Sequence, residues 1–201
     1  KIHFKDSHYS WFARSDKAGR DEYYRELEEM VTQLINVPSI AMWVLFNEGW
    51  GQFDAEKAYE KLLTLDKTRT VDHASGWHDQ GIGDIQSLHV YFMKYKFIPD
   101  KLGRAVILSE FGGYNYRIEG HSYSKRNFGY KHLKSAKELK NSLESLYRDK
   151  IFPAIDEGLA AAVYTQLSDV EDEVNGLIMH DRAETKLPTE EIRKIVEYKN
   201  S

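Results

Sequence analysis

Residues 38–54 read PSIAMWVLFNEGWGQFD, and this stretch decides the fold. An apolar run through Trp43, Val44, Leu45 and Phe46 ends abruptly in Asn47-Glu48. Its length suits a buried strand that delivers a polar pair at its C-terminal tip. Upstream, Tyr23, Tyr24, Leu27, Met30, Val31, Leu34 and Ile35 recur at helical spacing and define one buried face. Pro38 ends that helix, because proline cannot donate the helical hydrogen bond and biases Val37 away from helix. A helix followed by a buried strand at about 39–47 is therefore expected.

The strand pattern recurs at Ala105-Val106-Ile107-Leu108-Ser109-Glu110, followed by Phe111-Gly112-Gly113. Two buried strands that each present a Glu at the C-terminal tip suggest two carboxylates serving one pocket. A carboxylate pair is the equipment of glycoside hydrolysis. The plainer reading of either Glu alone is a partner for a Lys or Arg at a strand end.

The remaining elements follow the same alternation. Asp54 is an expected cap for a helix at about 55–65, with Ala55, Ala58, Tyr59, Leu62 and Leu63 inward. Short strands are expected at 70–74 and 85–91. Residues 1–20 and 112–134 read as loops, and long loops in compact domains are often functional. Ser135 and Glu138 form a capping box for a helix that packs through Leu139, Leu143, Leu146 and Tyr147. Residues 160–164 make the last strand, and Ile192, Ile195 and Val196 mark a terminal helix. Alternating strands and helices favour an α/β fold with a parallel sheet and crossover helices, here one domain over 1–201.

Composition narrows the function classes. The chain has 201 residues, with 28 Lys and Arg against 32 Asp and Glu, a net charge of −4. No concentrated basic face points to nucleic acid. The cluster from Lys125 to Lys140 is diluted by Glu138 and apolar residues and reads as a solvated face. No stretch approaches the ~20 apolar residues of a membrane span. With no cysteine there is no disulfide, thiolate metal site or thiol nucleophile. No metalloprotease, P-loop, serine-hydrolase or dinucleotide signature is present, so no metal or cofactor is expected. His73, His78 and Asp79 lie close in sequence but lack spacing that would aim them at one ion.

Three segments in order, PSIAMWVLFNEGWGQFD (38–54), ILSEFGGYNY (107–116) and YTQLSDVEDEVNGLIMHDR (164–182), together resemble glycoside hydrolase family 2. That family includes β-galactosidases, β-glucuronidases and β-mannosidases. The resemblance runs from about residue 21 to about 187. It implies a (β/α)8 TIM-barrel catalytic domain, with the five strands corresponding to barrel strands four to eight. The first three strands and the upstream β-domains of the family have no counterpart in these residues, so missing N-terminal domains or a homo-oligomer are expected.

The same resemblance assigns roles. Glu48 matches the acid/base and Glu110 the nucleophile of a retaining mechanism. Asn47 matches a residue that contacts the sugar, and Tyr91 a tyrosine that hydrogen-bonds the nucleophile. His89 lies two residues before Tyr91, on the same strand face, and is a further candidate for the pocket. Trp77 resembles a segment lining the active-site mouth, where an aromatic face can stack on a sugar. Trp43 and Trp50 read as core or loop packing. Tyr164 and Thr165 stand where many members carry a tryptophan, and Gln166 and Asp169 are expected to add substrate hydrogen bonds. Asn175-Gly176-Leu177 lacks the lysine that glucuronidases use for the substrate carboxylate. The expected substrate is therefore a β-glycoside, β-galactosides first. The competing expectation is a half-barrel or carbohydrate-binding remnant that keeps both glutamates without turning over alone.

Overall fold

Helix α1 (Lys17–Leu34) begins where Asp16 accepts from the amides of Ala18 and Gly19 at 3.1 and 2.8 Å. It starts earlier than the apolar spacing predicts, because its first turn is exposed and carries no periodic signal. The cap was the readable sign. The computed structural model describes residues 4–91, 95–123, 125–126, 128 and 131–197. It divides into two compact units, Lys1–His89 with Pro99–Ile107 and Val90–Ile98 with Leu108–Ser201.

In the first unit, β1 (Met42–Val44) pairs in parallel with β2 (Thr70–Asp72), Trp43 opposite Val71. The regular part of β1 is shorter than the predicted 39–47. The same register nevertheless resumes as a parallel bridge between Asn47 and Ser75. Helix α2 (Ala55–Leu65) packs with α1 over this pair, burying Leu27, Val31, Phe46, Phe53, Leu62 and Val71. Each such large apolar side chain contributes roughly 1.5–3 kcal/mol by leaving water. Asp54 does not cap α2 with its side chain. Its backbone is left-handed, and its carboxylate takes the Tyr9 hydroxyl at 2.8 Å and Lys57 at 3.0 Å. The Ala55 amide donates instead to buried Asp6 at 3.0 Å. The segment expected to be loop therefore supplies a cap, and it also contains a short 3-10 turn at Tyr9–Phe12.

Strand β3 (Ile85–Val90) follows, hydrogen-bonded to β4 (Ala105–Gly112) rather than to β2. Asp84 explains the break. Its carboxylate accepts from the Val71 amide at 2.9 Å and its own amide donates to the Val71 carbonyl at 3.1 Å, so a side chain replaces the ladder there. Gly83, at φ 77°, lets the chain pass: a Cβ would lie 2.9 Å from the Val71 oxygen.

In the second unit the end of β4 is hydrogen-bonded to β5 (Ala161–Thr165). Between them comes α3 (Ala136–Leu146). Ser135 accepts from the Glu138 amide at 3.2 Å, and Glu138 reaches the Lys134 amide at 2.8 Å, one residue beyond the expected box. A π-helical turn at Tyr147–Ile151 joins α3 to α4 (Phe152–Glu157). Pro153 lacks an N–H and its ring crowds the carbonyl four residues back, which the wider turn relieves. Leu139 and Leu143 pack with Leu187 and with Ile195 of α5 (Thr189–Val196).

Among the described residues the strands number five, as predicted, in a two-stranded and a three-stranded sheet, and no closed barrel is formed. The architecture is α/β with small sheets.

Candidate active site

The first unit presents Glu48 at the tip of β1. Its amide donates to the Ser75 carbonyl at 2.9 Å, and the Ser75 amide donates to the Phe46 carbonyl at 2.8 Å. These bonds hold Glu48 at φ 56°, in the left-handed region that a residue with a Cβ rarely adopts. Gly49 follows at φ 75°, and a Cβ there would lie 2.2 Å from the His78 ring. The carboxylate of Glu48 is 22% exposed and lies 2.8 Å, Oε1 to Nδ1, from His89, whose side chain is 1% exposed. The other ring nitrogen of His89 is 3.0 Å from Ser75 Oγ. Gly76 makes room for this ring, since a Cβ would sit 2.8 Å from it.

Asn47 is exposed beside Glu48. Trp77 is 43% exposed, and its amide donates to the same Ser75 carbonyl at 3.1 Å. Trp43 is core, its indole N–H donating to Asp66 at 2.9 Å. Trp50 is not packed away but 79% exposed. The neighbouring histidines pack among protein groups, each with a buried Nδ1 that has no hydrogen-bond partner among the described residues. His73 Nε2 accepts from the Gln80 amide at 2.9 Å, and the His78 ring packs edge-on to Phe12 with centroids 5.0 Å apart. Asp79 is clamped by Arg104 at 2.8 and 2.7 Å.

The second unit presents Glu110 near the end of β4. The Tyr91 hydroxyl donates to Glu110 Oε2 and lies 3.4 Å from Thr165 Oγ1. Gly112, at φ 90°, brings the following turn against the Tyr164 ring, which occupies the space a Cβ would need. The Gly113 amide then donates to the Thr165 carbonyl at 3.0 Å. The Thr165–Gln166 peptide bond is cis.

Gln166 and Asp169 hold their own loop. Gln166 Nε2 donates to Glu173 at 3.0 Å and Asn175 at 2.8 Å. Where a substrate hydrogen bond from Asp169 was expected, the structure has a buried ion pair. Its carboxylate is 2% exposed, accepts from Lys186 at 2.7 Å, and accepts from the Gly176 amide at 2.8 Å. Burial raises the Asp169 carboxyl and lowers the Lys186 ammonium, each against the opposing pull of its partner.

Of the residues singled out in the sequence, Glu48 and His89 meet in the first unit, with Trp77 anchored beside them. Tyr91 and Glu110 meet in the second. Ser75 and Thr165 are partners that the sequence did not assign. Their signal was position alone, just beyond the end of β2 and at the end of β5.

Each unit thus presents one carboxylate near a strand end, held by a hydrogen bond to an aromatic side chain. Residues 3–111 match the family model described as "Glycosyl hydrolases family 2, TIM barrel domain". No curated protein matches the chain.

Proposed function

The chain belongs to glycosyl hydrolase family 2, and on that premise we propose that it carries the catalytic carboxylates of a retaining exo-β-glycosidase. Glu48 is the acid/base and Glu110 the nucleophile. The observation that supports this reading best is the Tyr91 hydroxyl donating to Glu110, which orients a carboxylate that must stay ionised to attack.

A retaining mechanism needs the two carboxyl groups about 5–5.5 Å apart. Glu110 attacks the anomeric carbon and forms a glycosyl ester while Glu48 gives its proton to the departing oxygen. Water then loses a proton to Glu48, attacks the same carbon and releases Glu110. The configuration at the anomeric carbon is inverted twice and so retained. Asn47 is the proposed sugar contact, and Trp77 the aromatic face at the mouth. Gln166 and Asp169 shape the loop after β5 rather than touch the sugar.

β-Galactosides are the proposed substrates. A glucuronide would need a cation for its carboxylate. The loop after β5 lacks one in Asn175-Gly176-Leu177, and nearby Lys186 is buried against Asp169 and the Val174 carbonyl. A panel of aryl β-galactoside, β-glucuronide and β-mannoside tests this. Fastest turnover of the galactoside is expected, and turnover of the glucuronide alone would overturn the assignment.

A further inference from the structure

Resting on Glu48 as the acid/base, we propose that His89 is its positioning residue: an imidazole, set by Ser75, that keeps the transferable proton on the Glu48 oxygen it does not bind. The sequence expectation was that His89 touches the sugar. In the structure both ring nitrogens are engaged by protein, Nδ1 with Glu48 Oε1 at 2.8 Å and Nε2 with Ser75 Oγ at 3.0 Å. The ring is buried against Gly76, which has no Cβ to displace it.

The chemistry follows from donor counting. A neutral imidazole has one donor and one acceptor nitrogen. The Ser75 hydroxyl can donate to Nε2, which leaves the ring hydrogen on Nδ1. That hydrogen is donated to Oε1 of Glu48. An oxygen already accepting this bond is a poor place for the acid proton, so the proton resides on Oε2. Glu48 therefore gives and regains its proton through one oxygen, with no rotation of the carboxyl group. Ser75 fixes the same residue a second time, since its carbonyl accepts from the Glu48 amide. One serine thus sets both the backbone of the acid/base and, through His89, the orientation of its carboxyl. Metal ligands are often steered this way by the group bonded to the second imidazole nitrogen. Here the steered group is a carboxyl.

The tautomer is measured directly on the unmodified chain, by long-range proton–nitrogen correlation of the His89 imidazole near neutral pH. A protonated Nδ1 with a bare Nε2 is expected, and Ser75→Ala should erode that preference. A ring protonated at Nε2 alone, or at both nitrogens, would overturn the proposal. Kinetics give the second reading, as kcat/KM over aryl glycosides of decreasing leaving-group ability. His89→Ala should lose about 10²-fold on poor leaving groups and less than about tenfold on dinitrophenyl glycosides, because general-acid help matters only for the former. His89→Asn, whose amide N–H can replace Nδ1–H, should recover about tenfold over the alanine variant on poor leaving groups. A uniform loss across the series, without rescue, means that His89 only supports the fold. If Glu48→Gln itself shows no leaving-group dependence, the acid/base reading fails instead, and the two failures are distinguished.

Discussion

Glu48 and Ser75 are joined backbone to backbone, the Glu48 amide donating to the Ser75 carbonyl at 2.9 Å across the tips of β1 and β2. This bond continues the register of the two strands past the regular pairing and turns Glu48 into a left-handed conformation. Strained backbone of this kind persists only where surrounding structure over-determines it, and such sites cluster at active centres.

The strain is measurable. Left-handed backbone costs an ordinary L-residue roughly 1–2 kcal/mol, and glycine almost nothing. Glu48→Gly should therefore be more stable than Glu48→Ala by about 1 kcal/mol, read from urea unfolding. The reverse order is expected at an ordinary strand or helix site.

The two glutamates should separate by leaving group. Glu110→Gln is expected to abolish turnover of every substrate. Glu48→Gln should lose about 10²- to 10⁴-fold on poor leaving groups and little in kcat/KM on activated ones, which need no proton. Azide added to the Glu48 variant should give a glycosyl azide of retained configuration. An inverted azide product would exchange the two roles.

Gly112 joins Glu110 to the turn that rests on Tyr164. Its φ of 90° and the ring edge 2.3 Å from where a Cβ would lie leave no room for a methyl group. Gly112→Ala should lower stability by more than about 1 kcal/mol. It should also reduce kcat/KM by about 10²-fold, since displacements of about 1 Å can have that effect. Unchanged kinetics with normal stability would show that the turn tolerates the shift.

Lys186 and Asp169 form a pair that neither can leave alone. Lys186→Met strands a buried carboxylate and should cost about 3–5 kcal/mol, whereas replacing both by apolar residues of similar volume should recover most of it. Chemical denaturation of the single and double variants checks the coupling. Additive losses would mean that the pair contributes little.

Acid should weaken the first unit through Asp66. Hydrogen bonds from Thr68, Trp43 and Arg69 hold its carboxyl well below the usual range. The unfolded chain takes up that proton first. The stabilisation is therefore complete above the unfolded pKa of about 3.9 and is lost as pH falls below it towards the folded value. Unfolding followed by tryptophan fluorescence should show a stability that drops below about pH 4, and Asp66→Asn should flatten that drop.

How much of this was legible in the sequence follows from the range of each interaction. The apolar runs at 43–46 and 105–108 announced strands with a Glu near each tip, because buried strand positions write themselves into runs of apolar residues, even though Val44 itself is exposed. In the second unit α3 was likewise readable from its cap and spacing and α5 from spacing, whereas α4 carried no such signal. Tyr91 could be assigned to Glu110 only through family resemblance, and its hydrogen bond is a fact of the fold. Tertiary structure alone decided the rest. His89 meets Glu48 across 41 positions, and Asp6 caps α2 across 49. Asp169 turns from an apparent sugar ligand into half of a buried ion pair because Lys186 folds back over it. A side chain's type and strand position are local properties. Its partner is set by which distant backbone closes over it, and no local pattern carries that.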